Sequence, residues 1–327
     1  MGRGGRRGAV GVRLNIAQPL RADKECRVFA KFEMAQSTNQ FQKALCSARP
    51  TWNAGACPRF FRHPLAGAVL CVTILGASCF GTLVIASEKA QSPGHGVNNV
   101  STAPREGRMP FRIGEKLDYR VAWASFSNAA SIELTVPERR DLMGWGTWHF
   151  RASAHSLSPM RAFIVVDDQF DSYTDAATLE SRQYETYLNE MGEKQTEVFH
   201  FRPEGQPSRG DVAGVVVTPG TRDPLGAAYA LRGVDWQQTP EFRAPVYDGH
   251  DVYDMRARLD VPAETVAVAA GNFSVSKISI HLFQHGKEVP GTSFTAWLAN
   301  DAARTPVLLV AEMPLGNFRV ELVSTMQ

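Results

Sequence analysis

Residues 116–123, KLDYRVAW, alternate Leu117, Tyr119, Val121 and Trp123 with Lys116, Asp118, Arg120 and Ala122. A period of two belongs to a strand with one face in a core and the other in water. The pattern returns at 131–136, SIELTV, where Ser131, Glu133 and Thr135 separate Ile132, Leu134 and Val136. It recurs over 148–154, 184–188, 198–201, 252–259, 273–283, 294–298, 307–310 and 318–323. Turn formers that accept positive φ lie between these runs, at Asp248-Gly249, Gly271-Asn272, Gly286-Lys287 and Gly316-Asn317. One stretch has a helical pattern instead. Asp223 is placed to cap, Pro224 suits the first helical position, and Leu225, Ala228 and Tyr229 share a face. Arg232 falls near the end of that helix, where its dipole favours a cation. A shorter helical stretch is expected over 158–163. About ten strands with one or two short helices predict a mainly β domain, a large curved antiparallel sheet or a partly open barrel.

Upstream the character changes. Residues 64–86, PLAGAVLCVTILGASCFGTLVIA, carry no charge, follow Arg59, Arg62 and His63, and precede Glu88 and Lys89. The stretch is long enough for an apolar helix to cross a bilayer. The basic flank predicts a cytoplasmic N-terminus and an exported C-terminal domain. It reads either as a transmembrane anchor or as the core of a signal peptide cleaved after Ala86, with Val84 and Ala86 as the small residues of the site. Cys79 and Cys71 are poor lipidation sites, since Gly76 stands where a large apolar residue is usual before Cys79. Residues 1–62 hold 12 Lys and Arg against 3 Asp and Glu, without apolar periodicity, and read as a disordered basic leader or an over-extended start. Residues 88–108 are rich in Pro, Gly, Ser and Asn and read as a flexible linker. The folded domain is expected over 109–327.

From residue 88 onward there are 23 Lys and Arg against 30 Asp and Glu. That acidic balance argues against nucleic-acid binding by the domain. All five cysteines, Cys26, Cys46, Cys57, Cys71 and Cys79, precede it, so no disulfide, thiolate nucleophile or Cys-held metal is expected in the domain. Nucleophile elbow, zincin, P-loop and dinucleotide motifs are absent from the sequence. Gly144-Trp145-Gly146 has no helix pattern after it and reads as a hairpin turn. His281 and His285 on one strand face would lie about 13 Å apart, too far to share a metal ion. Asp167, Asp168 and Asp171 read as a solvated turn, and Ser153, His155 and Asp167 or Asp168 make an unconvincing triad. No catalytic residue, metal or cofactor is expected. Asp301 and Arg304 bracket a connection that an ion pair would close. With Asp223, Arg232, Asp248 and Gly249 they form the set expected to be structural.

The aromatic residues carry the one ligand expectation with a physical motive. Tyr119, Trp123, Trp148, Phe150 and Trp297 fall on strand positions and are expected on the concave face of the sheet. A filled core is the ordinary use of such residues. A sheet too large for its helices to cover would instead leave part of that face for a lipid or glycan.

Several motifs in order carry a resemblance: Phe111 to Tyr119, Asp167 to Ser172, Asp223-Pro224-Leu225 with Tyr229 to Arg232, Tyr247 to Tyr253, and Trp297-Leu298 followed by Asp301, Arg304, Pro306 and Val307. Together they resemble the bacterial envelope family known as domain of unknown function 3108, over residues 109–323. The resemblance implies an exported, mainly β protein of the periplasm or inner-membrane periphery and supplies no catalytic residue. The expected function is a non-catalytic envelope protein binding an amphiphile or envelope glycan, or else an assembly factor engaging another envelope protein. Its membrane contact is expected through residues 64–86, and its protein partner is unknown.

Overall fold

The computed structural model describes residues 109–205 and 214–326. The basic leader, the apolar stretch 64–86 and the linker lie outside the described residues. Among those described, thirteen strands form one sheet: β1 Lys116–Trp123, β2 Phe126–Leu142, β3 Trp145–Ser156, β4 Asp167–Asp175, β5 Ser181–Glu190, β6 Glu193–Pro203, β7 Val215–Val217, β8 Glu241–Tyr247, β9 Val252–Val268, β10 Gly271–Gln284, β11 Lys287–Ala299, β12 Pro306–Met313 and β13 Gly316–Met326. A 3-10 turn, Met160–Ala162, replaces the second helix expected over 158–163, and the helix α1 spans Pro224–Gly233. The sheet runs β7-β6-β5-β4-β3-β2-β1-β13-β12-β11-β10-β9-β8. Neighbours are antiparallel except β6 and β7, which pair in parallel at Phe201 and Val215.

Tight hairpins set the registers. Met143-Gly144, Met191-Gly192 and His285-Gly286 each place two residues in succession at positive φ, the two-residue turn whose twist matches the strands it joins. His285 is therefore a turn residue, and the strand face shared with His281 does not exist. Bulges interrupt the ladders near Asp118, Val121, between Thr135 and Glu138, and near Val275 and His281. Each adds local bend and twist, so the long strands curl.

The curl buries one face. Leu117, Tyr119, Val121, Phe150, Phe170, Tyr184, Met255, Ile278, Phe294 and Leu322 belong to one apolar core. Helix α1 enters it. Leu225, Ala227, Tyr229, Ala230 and Leu231 are all buried, as a helix surrounded by sheet requires. The chain before α1 joins the two ends of the otherwise open sheet. Ser181 N–H donates to Thr221 O, Arg222 N–H to Pro245 O, and Tyr247 N–H to Arg222 O, at 2.9–3.1 Å. The rings of Phe199 and Phe201 on β6 meet Tyr247 on β8 edge to face.

Candidate functional site

All five aromatic residues expected on the concave face are packed against other protein groups, three of them, Tyr119, Trp148 and Phe150, in the buried core at the α1 end. Phe150 stacks on Tyr229 of α1 with centroids 3.7 Å apart. The Phe111 ring sits edge-on to Trp148, Phe150 and Tyr229 at 5.1–5.3 Å. Tyr119 donates its hydroxyl to Pro306 O at 2.8 Å. The end of the concave face that carries α1 is thus filled. Trp123, half-buried, lies at the other end of β1, stacked on Phe318, with its indole N–H donated to Leu315 O at 3.1 Å. Trp297 is on the opposite face. Its inward neighbours are Ala296 and Leu298, so alternation turns Trp297 outward, where it donates to Glu264 Oε1 at 2.5 Å and lies under the Lys277 ammonium.

The three aspartates expected in a solvated turn lie on strand β4. Its sequence, DDQFDSYTD, is nearly all polar, which hides the alternation from hydropathy. Asp168, Phe170, Ser172 and Thr174 face inward, while Asp167, Gln169, Asp171 and Tyr173 face outward. Asp168 is 2% exposed. One carboxylate oxygen accepts from Asn189 N–H at 2.8 Å, and the other, Oδ2, is buried with no partner. Burial pushes its pKa up to about 6. Beside it in register is Ala154 of β3. Thr186 of β5, opposite Phe170, also has a buried hydroxyl without a partner. Ser172, the β4 residue that contacts α1's cap, is four residues from Asp168, about 13 Å along an extended strand. These orphaned groups are on the part of the concave face beyond the helix.

The outward side of β3 and β4 carries a second polar cluster. Asp171 accepts from His149 Nε2 at 2.5 Å, from Arg151 Nε at 2.8 Å and from Gln169 Nε2 at 2.6 Å. Burial pushes its carboxyl up, but these donors outweigh burial and hold it below the ordinary value. The His149 ring stacks on Tyr173 at 4.4 Å, and the Arg140 guanidinium lies over the same tyrosine at 4.5 Å. His149 Nδ1 is buried without a hydrogen bond, 3.6 Å from Glu138 Oε1. The dyad ties β3 to β4 as a cross-strand clamp. His155 does meet Asp167, at 3.0 Å, but both Asp167 oxygens also take the Arg161 fork, and Ser153 bonds neither. Among the described residues no three His, Cys, Asp or Glu side chains converge to hold a metal ion.

A family model described as protein of unknown function (DUF3108) matches residues 118–323. The chain belongs to the DUF3108 family. No curated protein matches it. Among solved structures it is similar to a β-barrel-like DUF1849 protein from Brucella abortus, with 13% identity and TM-score 0.41 over 64% of this chain and 96% of that one. It is also similar to a candidate exported protein of YmcC-like fold from Bacteroides fragilis, with 12% identity and TM-score 0.27 over 67% and 98%. A candidate lipoprotein from Parabacteroides distasonis is similar at 11% identity and TM-score 0.32, over 66% and 96%.

The motifs that carry the DUF3108 resemblance hold the helix in the sheet. Asp223 caps α1 through Gly226 N–H at 2.8 Å, and its Oδ2 accepts from Ser172 and Ser181 at 2.6 and 2.5 Å. Arg232 forms a buried two-point pair with Glu115 at 2.6 and 3.0 Å and donates to Pro110 O and Ala303 O. Arg304 donates to Arg232 O and Gly233 O, satisfying carbonyls at the helix end. Asp301 accepts from the N–H groups of Ala303 and Arg304. The expected Asp301–Arg304 ion pair is thus replaced by a backbone turn that frees Arg304 to cap the helix. Asp248 accepts from His250 and Asp251 N–H in the β8–β9 turn. Gly249, at φ 109°, sits where a Cβ would come within 3.2 Å of Phe199, so both conformation and space require glycine there.

Proposed function

We propose that this DUF3108 protein is a non-catalytic protein of the cell envelope, on the periplasmic side and either anchored by one N-terminal helix or released after cleavage. Its role is to bind an amphiphile, a lipid or glycolipid, on the part of the concave face beyond α1. The observation that carries this reading is the closeness of two buried polar atoms without partners, Asp168 Oδ2 and Thr186 Oγ1, on neighbouring strands of the inward face. Buried polar atoms without partners are rare in folded proteins and mark places where another molecule supplies the bond. Apolar walls with a few convergent polar groups are the usual make-up of a small-molecule site.

The test uses the full chain, expressed with its own leader in a Gram-negative host. Membrane-bound protein is taken up in an amphipathic polymer, extracted with organic solvent and compared by mass spectrometry with an unrelated anchored protein handled in the same way. A lipid or glycolipid enriched to near one per chain is expected. An extract indistinguishable from the control overturns the reading.

That outcome would favour the second reading, an assembly factor. Its support is β6, where residues 193–198 have a strand neighbour only on the β5 side among the described residues, leaving an edge able to add a strand from a partner. In vivo crosslinking from Val198, which is 46% exposed, would then recover a single partner.

A further inference from the structure

We propose that Asp168 and Thr186 form the head-group subsite of the amphiphile site, and that it takes a head bearing a hydroxyl or amine donor and rejects carboxylate and phosphate heads. This inference rests on the reading under Proposed function. Asp168 sits on β4 and Thr186 on β5, diagonal neighbours across a pair of strands in which Phe170 faces Thr186 and Gln169 faces Tyr187. Cross-strand diagonals of this kind are about 7–8 Å apart, a separation that one small polar group between them can bridge. The carboxylate can only accept, and Oδ2 has nothing to accept from. A threonine hydroxyl both donates and accepts. The pair is therefore complementary to a group with at least one N–H or O–H to give and a lone pair to share.

The charge around the subsite sets the selectivity. Asp168's protein donor is one backbone N–H, from Asn189, and no Lys or Arg bonds it. The charged neighbours that act on it are Asp167, which repels it, and His155. An anionic head would bring a second negative charge to a desolvated carboxylate that already faces Asp167, and the one opposing charge, on His155, is engaged by Asp167. Burial holds the carboxyl near 6, so at neutral pH it is mostly ionised and best satisfied by a donor.

Native mass spectrometry of the full chain from a polyoxyethylene detergent reads binding of three probes with one chain length: dodecylamine, monododecanoyl glycerol and dodecanoate. The amine and the glycerol ester are expected to bind about tenfold more tightly than dodecanoate, the value of roughly one buried hydrogen bond. In Asp168→Leu the difference should shrink to about threefold or less, with dodecanoate bound as well as or better than before. Asp168→Asn, which keeps the shape, should lose the amine preference first, and Thr186→Val should weaken the glycerol ester. Equal binding of all three probes to the native chain overturns the proposal, since the head group then makes no use of these two side chains. A preference that survives in Asp168→Leu and Asp168→Asn, with unchanged thermal unfolding, also overturns it by placing the head elsewhere. Failure of every probe to bind the native chain instead overturns the amphiphile reading itself.

Discussion

Asp167 and Asp168 are adjacent in sequence and opposite in behaviour, because a strand turns one into water and the other into the core. The Arg161 fork and His155 pull Asp167 down to about 2; at an exposed position that pairing contributes little to stability. Burial raises Asp168 to about 6 from an ordinary 3.8. A raised carboxyl favours the protonated folded state. The contribution of Asp168 to stability is therefore most favourable below pH 3.8, falls as pH rises between 3.8 and 6, and stays reduced above, by up to about 3 kcal/mol. Asp168→Asn should accordingly unfold at higher urea than the native chain at pH 7, with the gap closing near pH 4. A gap independent of pH would contradict the burial argument. At Arg232 the sign is reversed. Glu115→Gln leaves a guanidinium buried without its countercharge and should cost about 3–5 kcal/mol in urea unfolding. The sequence marked Asp223 and Arg232 as structural residues, but Glu115, which lies 117 positions from its partner, carried no local signal.

Helix α1 was legible because its cap, its Pro224 and its apolar residues are all within one decapeptide. Its surroundings were not. Gly226 illustrates the difference. Glycine inside a helix normally costs about 1 kcal/mol relative to alanine, so propensity alone favours Gly226→Ala. Here a Cβ would lie 3.0–3.1 Å from Thr174 Cγ2, Asp223 Oδ2 and Ser181 Oγ, inside the network that caps the helix. The substitution should lower the unfolding midpoint by the equivalent of about 1–3 kcal/mol, whereas a midpoint equal to or above that of the native chain would show that the cap network yields. Strand β4 is the converse case. Its polar sequence reads as a turn, and it is held as a strand by β3 and β5 on either side and by the Asp171 cluster beneath. Strand β8, likewise unsignalled, is secured by β9 and by Arg222.

At the scale of the whole sheet, the seam at Thr221 and Arg222 decides whether the curled sheet behaves as one unit. The amides of Arg222 and Tyr247, which bond across it, should exchange with deuterium as slowly as those of the central strands β1 and β13. Amides of β6 between residues 193 and 198 that point away from β5 should exchange within the dead time. Rapid exchange at Arg222 and Tyr247 would show that the ends of the sheet open independently. The sequence by itself determined that the domain is mainly β, where most strands and the one helix lie, and to which family it belongs, because alternation, turn residues and caps act over a few positions. Only the tertiary structure decided that α1 fills one end of the concave face, that Trp297 points away from it, and that Asp168 is buried without a partner. Those outcomes depend on which distant strands become neighbours, and a period of two says which residues share a face without saying what that face will meet.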